Sequence, residues 1–275
     1  MILGHEAVGR VHDASGEGRN VVINPLIACG VCDACQGGRA NICERRQLIG
    51  LHYPGAFAER IAVPLANLIE IPPDMDPAHA ALTEPAATAV HAVNLAARAS
   101  HRPLCEGRAL VIGGGSVGLF SAMSLSEQGV RDIHLAETNA LRRETVSATG
   151  VCHVFDPGAE PTPESRFDVV MDAVGGRASR EAAIAAVRPG GVVVHIGLLD
   201  NDGGIDVRRM TLQEITLIGT YTYTPVDLRA TVTKLHSGAF GDLRWIERRP
   251  LSDGAHAFEE LLNGQSAAPK IVLCP

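Results

Sequence analysis

The chain has 275 residues, of which 46% are hydrophobic and 20% are charged, and its formal net charge is −7. This length suffices for two domains, while the acidic balance disfavours nucleic acid as a partner, because phosphate binding needs a basic face that the arginine pairs do not build. No targeting segment and no membrane-spanning run is predicted, which favours a soluble, cytoplasmic protein with no membrane partner.

Short β-like runs separated by Gly, Pro and polar turns fill the chain up to Glu84. The predicted strands are Ala7–Val11, Asn20–Ile23 and Phe57–Val63. From Pro85 onward an apolar spacing of three and four residues predicts a helix that leads toward a glycine-rich loop. The first part of the chain is therefore expected to be mostly β.

Four cysteines stand close together between residues 29 and 43. They are Cys29, Cys32, Cys35 and Cys43, in the spacing C-x2-C-x2-C-x7-C. Four thiolates this close can complete a tetrahedral shell around Zn²⁺ with no open position, which is the structural arrangement. The alternatives are an iron–sulfur cluster, whose bacterial spacing differs after the third cysteine, and a nucleic-acid zinc module, which the net charge disfavours.

A glycine-rich turn follows the β-branched run 109–112 and precedes a helical segment. Gly113 permits a tight exit from the strand, Gly115 leaves room for a pyrophosphate, and Gly118 lets the helix pack close to the sheet. The phosphates would contact free N–H groups at the start of the helix. This pattern predicts the phosphate-binding half of a Rossmann unit, and a flexible glycine turn stays open as the alternative.

A second predicted strand, 132–137, ends in Glu137, about 20 residues beyond the last glycine. A dinucleotide fold needs an acceptor for ribose hydroxyls at this place. A carboxylate there favours NAD over NADP because it repels a 2′-phosphate, while Arg142 and Arg143 nearby favour the opposite. Glu137 as an ordinary acid at a strand end is the other interpretation.

Apolar strands alternate with helices in the rest of the chain, which is typical of a parallel sheet covered on both faces. The predicted elements are strands at 167–172, 191–197 and 215–221 and a helix at 180–187. Beyond Thr224, helices at 226–236 and 254–262 and a strand at 270–273 indicate a return to the first domain.

Several motifs follow one another in a fixed order: Gly4-His5-Glu6, the four-cysteine loop, Gly55–Glu59, Glu84-Pro85 with Thr88, Gly113–Gly118 and Pro189–Gly191. In this order they resemble the zinc-dependent medium-chain alcohol dehydrogenases over essentially the whole chain. The segments 24–27 and 84–91 are similar to the sorbitol, polyol and sugar-acid dehydrogenase branch. The resemblance implies an α/β fold, in which a Rossmann doubly wound parallel sheet joins a truncated, mostly β GroES-like catalytic domain.

The implied domains are the catalytic domain at 1–85, the dinucleotide-binding domain at 86–222 and a return to the catalytic domain at 223–275. The family has an opening lobe before Gly-His-Glu that supplies a cysteine ligand and a proton-relaying hydroxyl. From the sequence alone we expect a truncated chain whose catalytic zinc site is incomplete. The family also pairs sheets through its last Rossmann strand, which implies a homodimer or homotetramer.

The resemblance assigns metal ligands residue by residue. It makes His5 a ligand of the catalytic zinc and Glu6 a second ligand or an exchangeable carboxylate beside the metal. Glu84 would be the third ligand or would hold the metal through water, although a carboxylate before a proline could also cap the following helix. The four cysteines would hold the structural zinc.

The resemblance also assigns the cofactor site. The residues implied to bind the dinucleotide are Gly113, Gly115, Ser116, Val117, Gly118, Glu137 and Arg142. Those implied to lie near the nicotinamide or the pyrophosphate are Thr88, Val174, Gly197 and Lys270. The expected activity is NAD-dependent interconversion of a secondary alcohol, such as a polyol, sugar alcohol or sugar acid, and its ketone. The alternative is a catalytically impaired dinucleotide-binding protein that retains only the structural zinc.

Overall fold

The computed structural model describes residues 1–12 and 18–275, and these residues form two compact units. The first unit comprises Met1–Thr88, Thr222–Glu259 and Ile271–Pro275, and the second comprises Ala89–Tyr221 and Glu260–Lys270. Residues 260–270, which lie within the predicted return to the first domain, therefore belong to the second unit. The catalytic and cofactor-binding domains at 1–85, 86–222 and 223–275 stay a prediction.

The bounds of the elements follow the chain. The strands are β1 (Val8–Arg10), β2 (Asn20–Ile23), β3 (Leu26–Ile27), β4 (Gln47–Leu48), β5 (Leu68–Glu70), β6 (Arg108–Ile112), β7 (Asp132–Ala136), β8 (His153–Phe155), β9 (Phe167–Asp172), β10 (Val187–His195), β11 (Thr216–Gly219), β12 (Ile246–Pro250) and β13 (Lys270–Cys274). The α-helices are α1 (Asp33–Gln36), α2 (Pro77–Ala80), α3 (Thr83–Ala99), α4 (Ser116–Glu127), α5 (Ala140–Ala148), α6 (Arg177–Ala186), α7 (Val207–Leu212), α8 (Pro225–His236) and α9 (Gly254–Leu262).

The second unit is built on a six-stranded sheet in the order β11-β10-β9-β6-β7-β8. Every neighbouring pair in it is parallel. Counted from β6, this is the doubly wound order 3-2-1-4-5-6, whose strand order reverses between β6 and β9. The strands are apolar because helices pack against them, and Leu110, Val170 and Val193 belong to one buried cluster. The predicted Rossmann sheet is confirmed.

The first unit contains smaller sheets. In the largest of them, β2 pairs antiparallel with β1 on one side and with β5 on the other. Its middle strand supplies the buried side chains Val21, Val22 and Ile23. Two further pairs of strands, β3 with β4 and β12 with β13, complete the β structure of the described part of this unit.

One local expectation was wrong, and one strand was missed. The run Phe57–Val63 alternates as a strand would, but it forms no strand, and none of its side chains is fully buried. The backbone N–H of Phe57 instead donates to the Leu3 carbonyl over 3.0 Å. Within the described residues, no strand pairs with residues 58–63. The strand β8 was not predicted, because three residues are too short for a periodic signal.

Within residues 1–12 and 18–275, no helix combines the length and apolar character that crossing a membrane would require.

Candidate functional site

Residues 2–4 are held by backbone hydrogen bonds to the segment that starts at Gly55. The N–H groups of Gly55, Ala56 and Phe57 donate to the carbonyls of Ile2, Gly4 and Leu3 at 2.8–3.0 Å. Gly4 itself has φ +98°, a conformation that residues with a side chain rarely adopt. Two of the motifs singled out in the sequence, Gly4-His5-Glu6 and Gly55–Glu59, are thus neighbours in space.

His5, Glu6 and Glu84 come together although Glu84 lies far along the chain. One potential ligand atom from each lies within 4.8 Å of the other two. His5 Nε2 is 4.0 Å from Glu6 Oε1. Imidazole nitrogen and carboxylate oxygen are both zinc ligands, and at bond lengths near 2.1 Å tetrahedral ligands would stand about 3.4 Å apart. The three side chains therefore need only a small contraction to close around a divalent cation.

Glu84 is the buried member of this cluster, with 7% of its surface exposed. It lies in the first turn of α3, where the helix dipole also stabilises an anionic side chain. Thr88 lies one turn after Glu84 in the same helix, and its hydroxyl donates to the Glu84 backbone carbonyl over 3.2 Å. Burial and helix position together keep the Glu84 carboxylate in place.

The four cysteines form a second cluster in the first unit, in which all four sulfur atoms lie within 4.8 Å of one another. The Sγ atoms of Cys32 and Cys35 are 3.5 Å apart, and those of Cys29 and Cys35 are 3.9 Å apart. Zn–S bonds near 2.3 Å in a tetrahedron place sulfurs about 3.8 Å apart. The Cys29 N–H also donates to the sulfur of the buried Cys43 over 3.4 Å. The set therefore fits a zinc ion with four thiolate ligands.

The crowding of the four cysteines shifts the pKa values of their thiols and of a neighbouring arginine. Backbone N–H groups of Val31 and Cys32 lower the pKa of Cys29 to about 6. Burial, followed by the hydrogen bond from Cys32, raises the pKa of Cys35 to about 12. The Arg45 guanidinium lies beside Cys29, and that thiolate raises the pKa of Arg45. Thiolates crowded in this way repel one another, and a bound divalent cation would remove the repulsion. Sequence reasoning did not identify Arg45, since an arginine just outside a cysteine loop carries no spacing signal.

In the second unit, the glycine loop leaves β6 as a tight turn. Gly113 has φ +98° and donates to the Ala136 carbonyl over 2.8 Å. A methyl group on Gly118 would overlap the carbonyl oxygen of Gly113, which shows how closely α4 approaches the turn. A methyl group on Gly115 would meet nothing within 4 Å. The loop is closed against the protein at Gly118 and open to a ligand at Gly115.

Helix α4 begins at Ser116, directly after this open position. Its N-cap, Gly115, has no side chain that could accept from the first N–H groups of the helix. The N–H groups of Ser116 and Val117 therefore stand at a helix N-terminus that favours an anion.

Glu137 lies at the end of β7, buried with 6% of its surface exposed. Its Oε2 accepts from the Gly114 N–H over 2.7 Å, and its Oε1 accepts from the Asn139 N–H over 2.7 Å. Arg142 Nη1 stands 3.7 Å from Oε2, and Arg143 Nη1 donates to the Glu137 carbonyl over 2.9 Å. The carboxylate thus ties the glycine loop to the β7 exit, a role that sequence reasoning missed.

Val174 and Gly197 follow β9 and β10 and lie against each other. A methyl group on Gly197 would overlap the Val174 backbone, and one on Gly113 would stand 2.7 Å from Val174 Cγ2. The turn at Val174 is held by the fully buried Asp172, whose Oδ1 accepts from the N–H groups of Val174 and Gly175 at 3.1 and 2.9 Å. The sequence analysis assigned no role to Asp172. An acidic residue at the end of a buried strand was the feature that could have indicated one.

Lys270 is partly buried and ends the segment 260–270 of the second unit. This segment is tied to the loop after Glu137, because Asn139 Nδ2 donates to the Gly264 carbonyl over 2.8 Å. The structure thus brings Gly264 to the N-cap residue of α5, the helix that carries Arg142.

Comparison with known protein families agrees with this arrangement. Residues 1–73 match the family described as alcohol dehydrogenase GroES-like domain, and residues 116–237 match the family described as zinc-binding dehydrogenase. L-galactonate-5-dehydrogenase of Escherichia coli strain K12 is 30% identical over 98% of this chain and 82% of its own length. The chain belongs to the zinc-dependent medium-chain alcohol dehydrogenase family. The description of the family as zinc-binding dehydrogenases agrees with the four-cysteine cluster, which fits a structural zinc in this dehydrogenase.

Solved structures with the same fold contain either nicotinamide cofactor. A Sinorhizobium meliloti 1021 protein bound to NADP is 27% identical, with a TM-score of 0.81 over 93% of this dehydrogenase and 78% of that chain. Acetophenone reductase of Geotrichum candidum NBRC 4597, solved with NAD, is 25% identical, with a TM-score of 0.85 over 97% of this dehydrogenase and 79% of that chain. The family resemblance seen in the motifs is confirmed, and so is the GroES-like identity of the first part of the chain.

Proposed function

We propose that this dehydrogenase interconverts a secondary alcohol group of a polyol, sugar alcohol or sugar acid and the corresponding ketone, with NAD as the hydride acceptor. The observation that carries the proposal is the cluster of His5, Glu6 and Glu84, whose potential ligand atoms lie within 4.8 Å of one another. The similarity to an L-galactonate-5-dehydrogenase supports a substrate with several hydroxyl groups and a carboxylate.

In this proposal His5, Glu6 and Glu84 hold the catalytic zinc, and the four cysteines hold a structural zinc. When bound, zinc supplies Lewis-acid polarisation of the substrate hydroxyl, and the nicotinamide supplies the hydride acceptor. Glu84 keeps its carboxylate at the cluster because it is buried in the first turn of α3. His5, about half exposed, is the member that solvent and a hydroxyl-rich substrate can reach.

The dinucleotide is assigned to the glycine loop and its surroundings. The N–H groups of Ser116 and Val117 bind the pyrophosphate beside Gly113, Gly115 and Gly118. Glu137 accepts from the ribose hydroxyls, and Arg142 lies next to the adenosine. The residues assigned to the nicotinamide end are Thr88, Val174 and Gly197, and Lys270 is assigned to the pyrophosphate.

The preference for NAD over NADP rests on Glu137. A carboxylate at the end of β7 repels a 2′-phosphate. Arg142 would favour that phosphate, but Arg142 stands 3.7 Å from the same carboxylate and is partly neutralised by it.

We assign the homo-oligomer to pairing through β11, which ends the six-stranded sheet.

The test compares wild type with Glu84→Gln and with the matched control Glu59→Gln, which changes an exposed acid of the same unit. NADH formation is followed with a panel of polyols, sugar acids and simple secondary alcohols, and zinc is counted per chain. We expect one ion in each of the two clusters of the wild type. Glu84→Gln should lose one ion and about a hundredfold or more in kcat/KM, since even the loss of a residue that only holds a metal ligand costs about 10–100-fold.

Glu59→Gln should keep both ions and its turnover. A wild type that holds both ions and reduces NAD with no member of the panel would contradict the proposed substrate class. A Glu84→Gln variant that keeps both ions and full activity would contradict the metal assignment.

A further inference from the structure

A cavity lies where the central strands of the six-stranded sheet begin, at the opposite end of these strands from the glycine loop. The loop follows the last residue of β6, whereas the cavity is lined by Arg108 and Ala109 at the start of β6 and by Asp168 and Val169 near the start of β9. Its volume is about 80 Å³, which is room for several water molecules or for one small ion. The cavity is therefore separate from the dinucleotide site.

The Pro189-Gly190-Gly191 motif creates this space. Val187 pairs with Phe167 and Val192 pairs with Val169, so residues 188–191 of β10 stand opposite the single residue Asp168. Proline has no N–H for the sheet, and Gly190 takes the left-handed conformation with φ +71°. The strand therefore bulges outward and leaves a gap beside Asp168.

Arginine side chains surround this gap. Asp168 Oδ1 is paired with Arg102 Nη2 at 2.5 Å and with Arg188 Nε at 2.9 Å. Its other oxygen accepts from the backbone N–H of Arg108 over 2.8 Å. Two guanidinium groups thus face one carboxylate, which leaves the wall of the cavity with a net positive charge.

The carboxylate cannot satisfy the hydrogen-bond donors around it. Each guanidinium carries five N–H donors, while a carboxylate offers about four acceptor positions, one of which the Arg108 N–H occupies. Arg102 Nε is buried and has no hydrogen-bond partner among residues 1–12 and 18–275. An anion with several oxygen atoms would match both the unused donors and the charge.

We propose that this cavity binds a small oxyanion, either phosphate or the carboxylate of a small organic acid, between Arg102 and Arg188. The ligand accepts hydrogen bonds from the two guanidinium groups on the side not taken by Asp168. The volume of the cavity limits it to an ion of a few heavy atoms or to one such group of a larger molecule. The site is independent of the proposed substrate and of the zinc clusters.

The test is isothermal titration calorimetry of the full chain with inorganic phosphate and with acetate, at constant ionic strength and with NADH at saturation. NADH fills the helix N-terminus at Ser116, so phosphate cannot be counted there. We expect saturable binding of at least one of the two anions. Arg188→Gln should weaken it about tenfold or more, because a charged hydrogen-bond donor is lost.

Arg229→Gln is the matched control, since it removes the same charge from an exposed position of α8. It should bind the anion as wild type does. If Arg188→Gln does not fold, Arg102→Gln tests the same pair from the other side. Binding of neither anion to wild type would overturn the proposal, as would an affinity that neither cavity substitution changes. Binding of phosphate alone or of acetate alone identifies which oxyanion the site takes.

Discussion

The backbone N–H of Gly114 donates to Oε2 of Glu137 over 2.7 Å, and this bond joins the glycine loop to the end of the neighbouring strand. The other oxygen of the same carboxylate accepts from the Asn139 N–H, so one side chain holds two turns. Glu137, proposed to bind the ribose hydroxyls, therefore also holds the glycine loop in place.

Glu137→Gln should weaken NADH binding about tenfold or more and lower the melting temperature. Both carboxylate oxygens accept backbone N–H groups, whereas an amide has a single oxygen, so one buried N–H would lose its acceptor at a cost of about 1–3 kcal/mol. Fluorescence titration with NADH and NADPH measures the effect, and the ratio of the two affinities should shift toward NADPH. Glu144→Gln, at an exposed site on α5, is the control. Equal NADH affinity in both variants would contradict this role.

Two alanine substitutions separate loop packing from ligand binding. Gly118→Ala places a methyl group on the Gly113 carbonyl and should destabilise the fold by about 1–3 kcal/mol, since backbone must move. Gly115→Ala meets nothing within 4 Å and should lower the melting temperature less than Gly118→Ala, through the poorer N-cap residue alone, while weakening NADH binding. Thermal unfolding and NADH titration of both variants check this. Wild-type affinity in Gly115→Ala would show that the pyrophosphate does not approach that position.

Removing one thiol of the four-cysteine cluster should release its zinc. Cys43 is fully buried, so Cys43→Ser should lose one zinc per chain and unfold at lower temperature, by about 2–4 °C for each kcal/mol of lost stability. Metal analysis and thermal unfolding measure both effects. Cys105→Ser, at an exposed thiol outside the cluster, should change neither. Full zinc content in Cys43→Ser would exclude the four-thiolate site.

Stability should fall as the pH drops below about 6.5, in part because of His134. Burial, helped by the nearby Arg166 guanidinium, lowers the pKa of His134 below its usual 6.5, although Asp132 acts in the opposite direction. The unfolded chain therefore binds the proton first, and stability present above pH 6.5 is lost as the pH falls toward the folded pKa. His134→Phe keeps a ring beside Phe167 and should reduce this pH dependence in denaturant unfolding. The control His12→Phe, which changes an exposed histidine, should retain the pH dependence of the wild type.

Local patterns predicted the second unit well. Strand, glycine turn and helix are neighbours in the chain between residues 108 and 127, so their spacing already contains the contacts that form them. The run Phe57–Val63 shows the opposite case. Its alternation of apolar and polar residues is that of a strand, but a strand forms only where a neighbouring strand shares its backbone hydrogen bonds. Among the described residues no strand pairs with this run, and only its first residue, Phe57, donates a backbone hydrogen bond, to Leu3.

The sequence by itself determined the four-cysteine cluster and the glycine turn, because ligands and turn residues that lie within a few positions of each other are close in any folded chain. Tertiary structure alone decided the rest. It brought Glu84 to His5 and Glu6, aimed Glu137 at Gly114, and opened a cavity among Arg102, Asp168 and Arg188. These groups lie tens of residues apart, and only the packing of strands and helices sets the distances between them.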